Sequence, residues 1–339
     1  MATIWSSAWS LPDPVLWARG NVAAAKGVGA IAIRIIEPYT LTESTVPTSK
    51  HRLLKIVVAA GAFAAGVSPA SDFPEWAYPS CAALKARSTS DQARPVSVPV
   101  PPRALSPDKK ACGYCHLPDG NGRPENAKLA GLPASYIIAQ VRAFRAQQRK
   151  AAQPGWLPTR LMVDATTDVT DEAIASAADY FSRQPAKSFV RVIEQSRVPA
   201  HVVSCFIFAA SPGSELSLGS TIVELPVDDA RFERRDPHAT YIAFVPRGSI
   251  ERGRRLALTG DQGRTQPCAT CHGPALKGGK DSPGPALAGR FPTYLFRQLY
   301  AFQTGARRED AAQPMQSVVA QLTQQDMIDL AAYAASEAP

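Results

Sequence analysis

The chain has 339 residues, of which 45% are apolar and 19% charged, so a packed protein of about two domains is expected and disorder throughout is excluded. Thirty prolines imply short elements joined by long connections. The formal charge of +8 is spread along the chain without aromatic interleaving or a nucleic-acid motif, so nucleic acid is not an expected partner.

The first recognisable element is a basic stretch from Lys50 to Lys55, followed by an apolar run over 56–67 and by Ser68-Pro69-Ala70, which reads as a bacterial export signal with a cleavage site. No run of 18 apolar residues occurs, so no integral membrane span is expected, and peripheral association with a membrane surface stays open. Residues 1–49, with Trp5, Trp9 and Trp17, sit oddly ahead of such a signal, and initiation near Val46 is the expectation. Removal of residues 1–70 leaves 31 basic against 26 acidic side chains, a formal +5. A proline-rich segment, 71–107, follows.

Cys112-Gly113-Tyr114-Cys115-His116 and Cys268-Ala269-Thr270-Cys271-His272 are both CxxCH, the attachment pattern of c-type haem. Two thiols one short turn apart suit the two vinyl groups of one porphyrin, and the next residue offers an imidazole to the iron. Two such pentapeptides in a chain with six cysteines and five histidines lie far beyond chance. A shared zinc site is disfavoured because the pairs are separated by more than 150 residues, and a thioredoxin-like redox pair lacks its flanking strand and helix.

A second axial ligand for each iron is sought among Met1, Met162, Met315 and Met327. Met162 stands eight residues before Thr170 and Met315 eight before Thr323, each threonine reading as the N-cap of an amphipathic helix. Met327 lies inside the second of these helices and is expected in the core. Between motif and methionine, Leu129-Ala130-Gly131, Tyr136, Gln140 and Phe144 recur 158 residues later as Leu287-Ala288-Gly289, Tyr294, Gln298 and Phe302. The chain is thus a tandem duplication. In each copy a helix, from about 133 to 145 and from 292 to 303, turns its Tyr and Phe toward a common interior expected to be the porphyrin.

With these residues in view, both halves resemble class I cytochrome c domains, and the pair resembles the dihaem cytochromes c of the c-four and c-five group. The resemblance implies a mainly α fold: domains at 108–186 and 248–339 joined by a small β-containing segment, 187–247. It implies two covalently attached haem c groups, with His116 and Met162 on one iron and His272 and Met315 on the other. It further implies that the Pro285 carbonyl accepts the His272 Nδ1–H, and that a helix beginning near Ser249 crosses the last helix, with its Leu330 and Tyr333, through Gly253 and Ala257. The first half departs: Ala127 stands where Pro285 maps, and the prolines of 95–107 leave no room for a first helix, so its haem is expected to be more exposed and lower in potential.

Within 187–247, the runs 189–194, 202–208, 221–225 and 241–245 read as three or four short strands of a small sheet, a brace between the haem domains or a docking surface. Cys81 and Cys205 could pair or remain free thiols, and Cys205 as an iron ligand stays open, as do His201 and His238 in place of a methionine. The functional expectation is an exported, periplasmic dihaem electron carrier. Its partners would be redox proteins, such as a dehydrogenase or oxidase or a quinol–cytochrome c reductase. A dihaem enzyme, a cytochrome c peroxidase or thiosulfate dehydrogenase with one open iron, is the alternative.

Overall fold

The computed structural model describes residues 73–79, 111–204, 206–279 and 282–339. The export-like stretch, the prolines of 95–107, Cys81 and Cys205 lie outside the described residues.

The first half contains α1 (Cys112–His116), α2 (Ala134–Arg145), α3 (Leu157–Thr166) and α4 (Asp171–Ser182). Between the halves come β1 (Val190–Glu194), β2 (Arg197–Val198), β3 (His201–Ser204), β4 (Ile207–Ala210), β5 (Leu216–Ser217), β6 (Val223–Pro226), α5 (Asp229–Glu233) and β7 (Tyr241–Val245). The second half has α6 (Ser249–Thr259), α7 (Ala269–His272), α8 (Pro292–Gln303), α9 (Gln313–Val319) and α10 (Gln324–Ser336). The fold is mainly helical with some sheet, and the long helices fall where the repeat predicts them.

The threonine caps form as expected. Thr170 accepts a hydrogen bond from the Ala173 amide at 3.2 Å, and Thr323 accepts from the Asp326 amide at 3.1 Å. Asp326 completes a capping box by accepting the Thr323 amide at 2.9 Å. Such caps contribute about 1 kcal/mol each by satisfying amides that the first helical turn leaves bare.

The second half has the thicker core. Every residue of α10 from Asp326 to Ala335 is buried, with Met327 fully so, as its expected core role requires. Helix α6 crosses α10 at Gly253, where an added Cβ would collide with the Asp329 carbonyl and lie 2.9 Å from Tyr333 Cβ. The same crossing is tied by Arg252, which grips the buried Asp329 carboxylate with Nε at 2.7 Å and Nη2 at 2.9 Å. In the first half the buried apolar cluster is Leu132, Ile137, Ala178 and Phe181 among the described residues.

The connecting segment is more broken than its sequence runs suggest. Among the described residues seven strands form three sheets: a mixed β1-β7-β6 sheet, with β1 parallel and β6 antiparallel to β7, and the two-stranded pairs β2-β5 and β3-β4. The run 202–208, read as one strand, is a hairpin whose bend includes Phe206 at φ +75°. No glycine, proline or asparagine marks that turn, so the apolar run hides it.

Residues 73–79 have an unforeseen partner. The 3-10 turn Glu75–Ala77 lays Trp76 on Phe296 of α8, with ring centroids 4.6 Å apart, and Tyr78 edge-on to Trp156 of the first half at 5.5 Å. The Trp156 indole donates to the Pro79 carbonyl at 3.3 Å, and Arg297 of α8 donates to that of Ala77 at 3.1 Å. This proline-led segment, which precedes the first half in sequence, is thus packed against both halves.

Gly253→Val should lower the thermal unfolding midpoint by the equivalent of more than about 2 kcal/mol, since a backbone carbonyl rather than a mobile side chain opposes the new atoms. Calorimetry of the haem-loaded protein checks this, and an unchanged midpoint would show that the crossing can widen freely.

Candidate haem sites

Each CxxCH motif folds as a single helical turn that ends on its histidine. His116 and His272 are both buried, at 9% and 6% exposure. Their Nδ1 atoms lie 2.7 Å from the carbonyl oxygens of Ala127 and Pro285, 11 and 13 residues further on. A carbonyl only accepts, so in each ring Nδ1 carries the proton and Nε2 is left with its lone pair, the tautomer that a metal requires. Burial holds both imidazoles below the usual histidine range, which keeps them neutral. Ala127 serves as well as Pro285 because only the backbone oxygen is used. The loop at the second site is also tight: a Cβ on Gly284 would lie 2.6 Å from the His272 Nδ1.

The four thiols are partly buried and form no disulfide. Burial raises Cys112, and pushes Cys268 up to about 11. Met162 lies half-buried on α3, beside the exposed Leu161, and Met315 lies half-buried on α9 against the core of the second half. Each stands on the helix preceding its threonine-capped helix, the equivalence that their shared spacing predicts. His201 lies at a hairpin edge, its Nδ1 2.9 Å from the Pro199 carbonyl, and His238 is exposed beside Asp236 at 3.2 Å. Both belong to the connecting segment and have local partners.

Tyr136 and Tyr294, on α2 and α8, are half-buried. The repeat positions around them meet at a boundary between the halves that sequence reading missed. Arg149 donates to Gln140 at 2.6 Å and to Gln298 at 2.9 Å, while Arg307 donates to Gln298 at 3.1 Å and to Gln140 at 2.9 Å. The backbone pairs alongside: the Lys150 amide donates to Ala306 and the Arg308 amide to Gln148, at 2.8 and 2.9 Å. Each contact across the boundary becomes its partner when 158 is added to one residue and subtracted from the other, and the contact within one half becomes that of the other when both residues are shifted by 158, so duplication produced a pseudo-two-fold interface. Its signal was the shared 158 offset of Arg149 and Arg307, two cations whose roles composition alone does not reveal.

The interface is polar yet buried. Arg149, Arg307, Gln140 and Glu309 are each at most 7% exposed. The symmetry breaks at Glu309, which pairs with Arg307 at 2.5 Å and has Ala151 as its repeat counterpart. Arg149 instead donates to the Tyr294 hydroxyl at 3.1 Å. Burial alone would raise that phenol, but Arg149, Arg290 and Arg307 together hold it below its ordinary value. Lys128, next to the carbonyl that holds His116, donates to Lys187 at 2.5 Å and to Gly289 at 3.3 Å across the boundary. Burial lowers its amine to about 7.

A second buried charge lies where the sheet meets α8. Glu224 of β6 accepts the Thr293 amide at 3.1 Å and the Thr293 hydroxyl at 2.5 Å, and Arg297 acts on it from the same helix. Desolvation outweighs these contacts and pushes its carboxyl up to about 7.

These sites suit covalent porphyrin: paired thiols, a buried neutral imidazole with its tautomer set, and a methionine on a matched helix. The sequence profile of the family described as cytochrome c matches residues 250–336. Cytochrome c4 of Azotobacter vinelandii is 26% identical over 226 residues, covering 66% of this chain and 82% of that protein. Cytochrome c-554(548) of Halomonas halodenitrificans is 35% identical over 74 residues, 22% of this chain and 83% of that protein. A protein of Thiomonas intermedia named thiosulfate dehydrogenase electron acceptor is 25% identical over 223 residues, 65% of this chain and 75% of that protein. The chain belongs to the class I cytochrome c family, as a dihaem member carrying covalently bound haem c.

Two outcomes test the buried charges. Arg307→Leu should destabilise the protein by about 3–5 kcal/mol, because Glu309 is left buried without its cation, and adding Glu309→Gln should recover much of that loss in denaturant unfolding. For Glu224, the folded carboxyl titrates above its unfolded value of 4.5, so the native state binds the extra proton between pH 4.5 and about 7. Stability should therefore fall as pH rises through that window, by about 3 kcal/mol at most, and Glu224→Gln should flatten this part of the pH profile.

Proposed function

We propose that this protein is a periplasmic dihaem electron carrier of a bacterial respiratory chain, with no substrate chemistry of its own. His116 and Met162 would hold one iron and His272 and Met315 the other, with Cys112, Cys115, Cys268 and Cys271 as the thioether attachments. The observation that carries this reading is the pair of buried imidazoles, each held by a backbone carbonyl at 2.7 Å. The haem iron supplies a one-electron ferric/ferrous couple when bound.

The work of the chain is to hold that couple still. The Ala127 and Pro285 carbonyls fix the rotation of the two rings, so that little rearrangement accompanies a change of charge. Met162 and Met315 would each offer a thioether sulfur to its iron, which would raise the potential and leave no free position for a small substrate. Tyr136 of α2 and Tyr294 of α8 would each stand beside one haem. Domains at 108–186 and 248–339 would each serve one haem, with 187–247 joining them. The thinner core of the first half supports a more exposed first haem of lower potential.

Export is supported by the signal-like stretch ending near Ala70, and no helix among the described residues is long and apolar enough to cross a membrane. Partners would be redox proteins that dock transiently, such as a dehydrogenase, an oxidase or a quinol–cytochrome c reductase. The Thiomonas relative is by name an electron acceptor, which favours a carrier over a thiosulfate-oxidising enzyme.

The optical spectrum of the oxidised protein tests the reading. Two thioether-to-iron charge-transfer bands are expected, with one lost in Met162→Ala and the other in Met315→Ala. A high-spin or thiolate spectrum in the wild type would instead identify a dihaem enzyme with an open or cysteine-bound iron.

A further inference from the structure

The connecting segment reaches back to the first attachment motif. Just beyond α5, the Arg235 guanidinium lies over the Tyr114 ring, 4.2 Å from its centroid, and Nη1 donates to the Tyr114 carbonyl at 3.0 Å. Tyr114 is the residue between Gly113 and Cys115, so this cation rests on the backbone that joins the two thiols of the first CxxCH. The carbonyl belongs to the last turn of α1, where a cation is favoured by the helix dipole.

The contact is built rather than incidental. Arg235 adopts φ +55°, a left-handed conformation rarely taken by residues other than glycine, and its amide donates to Phe232 at 3.0 Å to close the turn. Phe232 is itself buried, with Arg123 of the first half stacked over its ring at 4.0 Å and Tyr241 of β7 edge-on at 6.2 Å. Two arginine–aromatic contacts of opposite direction thus clasp α5 to the first half: one cation comes from the connecting segment and the other from the first half. Among the described residues, this clasp is made at the first motif.

We propose that Arg235 is a positioning residue for the first haem: it pins the backbone between the attachment thiols and holds a positive charge there that raises the potential of that haem alone. A nearby cation disfavours the ferric state, which carries one more positive charge than the ferrous state. Its effect opposes the lowering that exposure brings, so the first haem lies closer in potential to the second than its thinner core alone would set. The proposal rests on the electron-carrier reading above.

Potentiometric titration of the haem-loaded full chain, followed optically, tests it, with each haem assigned from the spectra of the Met162→Ala and Met315→Ala proteins. In Arg235→Gln the midpoint of the first haem should fall while that of the second stays in place. The difference should shrink as ionic strength rises, because Tyr114 is 37% exposed and the charge is open to screening. Arg235→Lys should restore most of the wild-type midpoint. An unmoved first midpoint, an equal shift at both haems, or a shift insensitive to salt and not rescued by lysine would overturn the proposal, the last by revealing a purely structural contact. Absence of thioether-to-iron bands from the wild type would instead overturn the carrier reading itself.

Discussion

An imidazole has two nitrogens and one proton at neutral pH, and where that proton sits determines what the ring can bind. At both sites a backbone carbonyl 2.7 Å from Nδ1 keeps the proton on that atom and stops the ring from turning. Burial adds a second constraint, since a charged ring in these surroundings is disfavoured and the neutral one is retained. The loops after each motif owe their shapes to this demand. One is closed by a proline and a glycine that leaves room for the ring; the other reaches the same oxygen from an alanine. The side chain at that position is free to differ because the contact is made by the main chain.

The boundary between the halves obeys a related logic. Two guanidiniums face each other across a pseudo-two-fold axis, an arrangement that would repel in an apolar setting. It is tolerated because both glutamine amide oxygens accept from both arginines, so each cation is hydrogen-bonded by its own half and by the other. Such an interface is specific rather than strongly adhesive: a shift along it would leave several buried donors without acceptors at once. Glu309 and Tyr294 then distinguish the two arginines, giving each half its own electrostatic surroundings despite the shared ancestry of the contact.

The segments outside the repeat supply what the repeat lacks. In the second half, α6 covers α10 and completes a helical core. Beside the first half, the described cover includes α5 of the connecting segment and the aromatic residues of 73–79. Those residues join the halves directly, with Tyr78 against Trp156 and Trp76 against Phe296. The connecting sheet likewise touches both sides: Glu224 caps the start of α8, while Phe232 and Arg235 meet the first half.

Local chemistry was legible in the sequence. CxxCH, the methionine-to-threonine spacing, the caps at Thr170 and Thr323 and the helices of each repeat depend on residues close together in the chain, where spacing and side-chain type leave few alternatives. The strand at 241–245 was equally plain because its apolar run is bounded by turn residues. The hairpin within 202–208 was hidden, since a phenylalanine occupies a conformation usually left to glycine or asparagine. What tertiary structure alone decided was pairing across distance: Arg149 with Gln298, Glu224 with Thr293, residues 73–79 with α8, and Arg235 with Tyr114. Charged and amide side chains have the same composition whether they face water or a partner far along the chain, and only the packed fold brings that partner within reach.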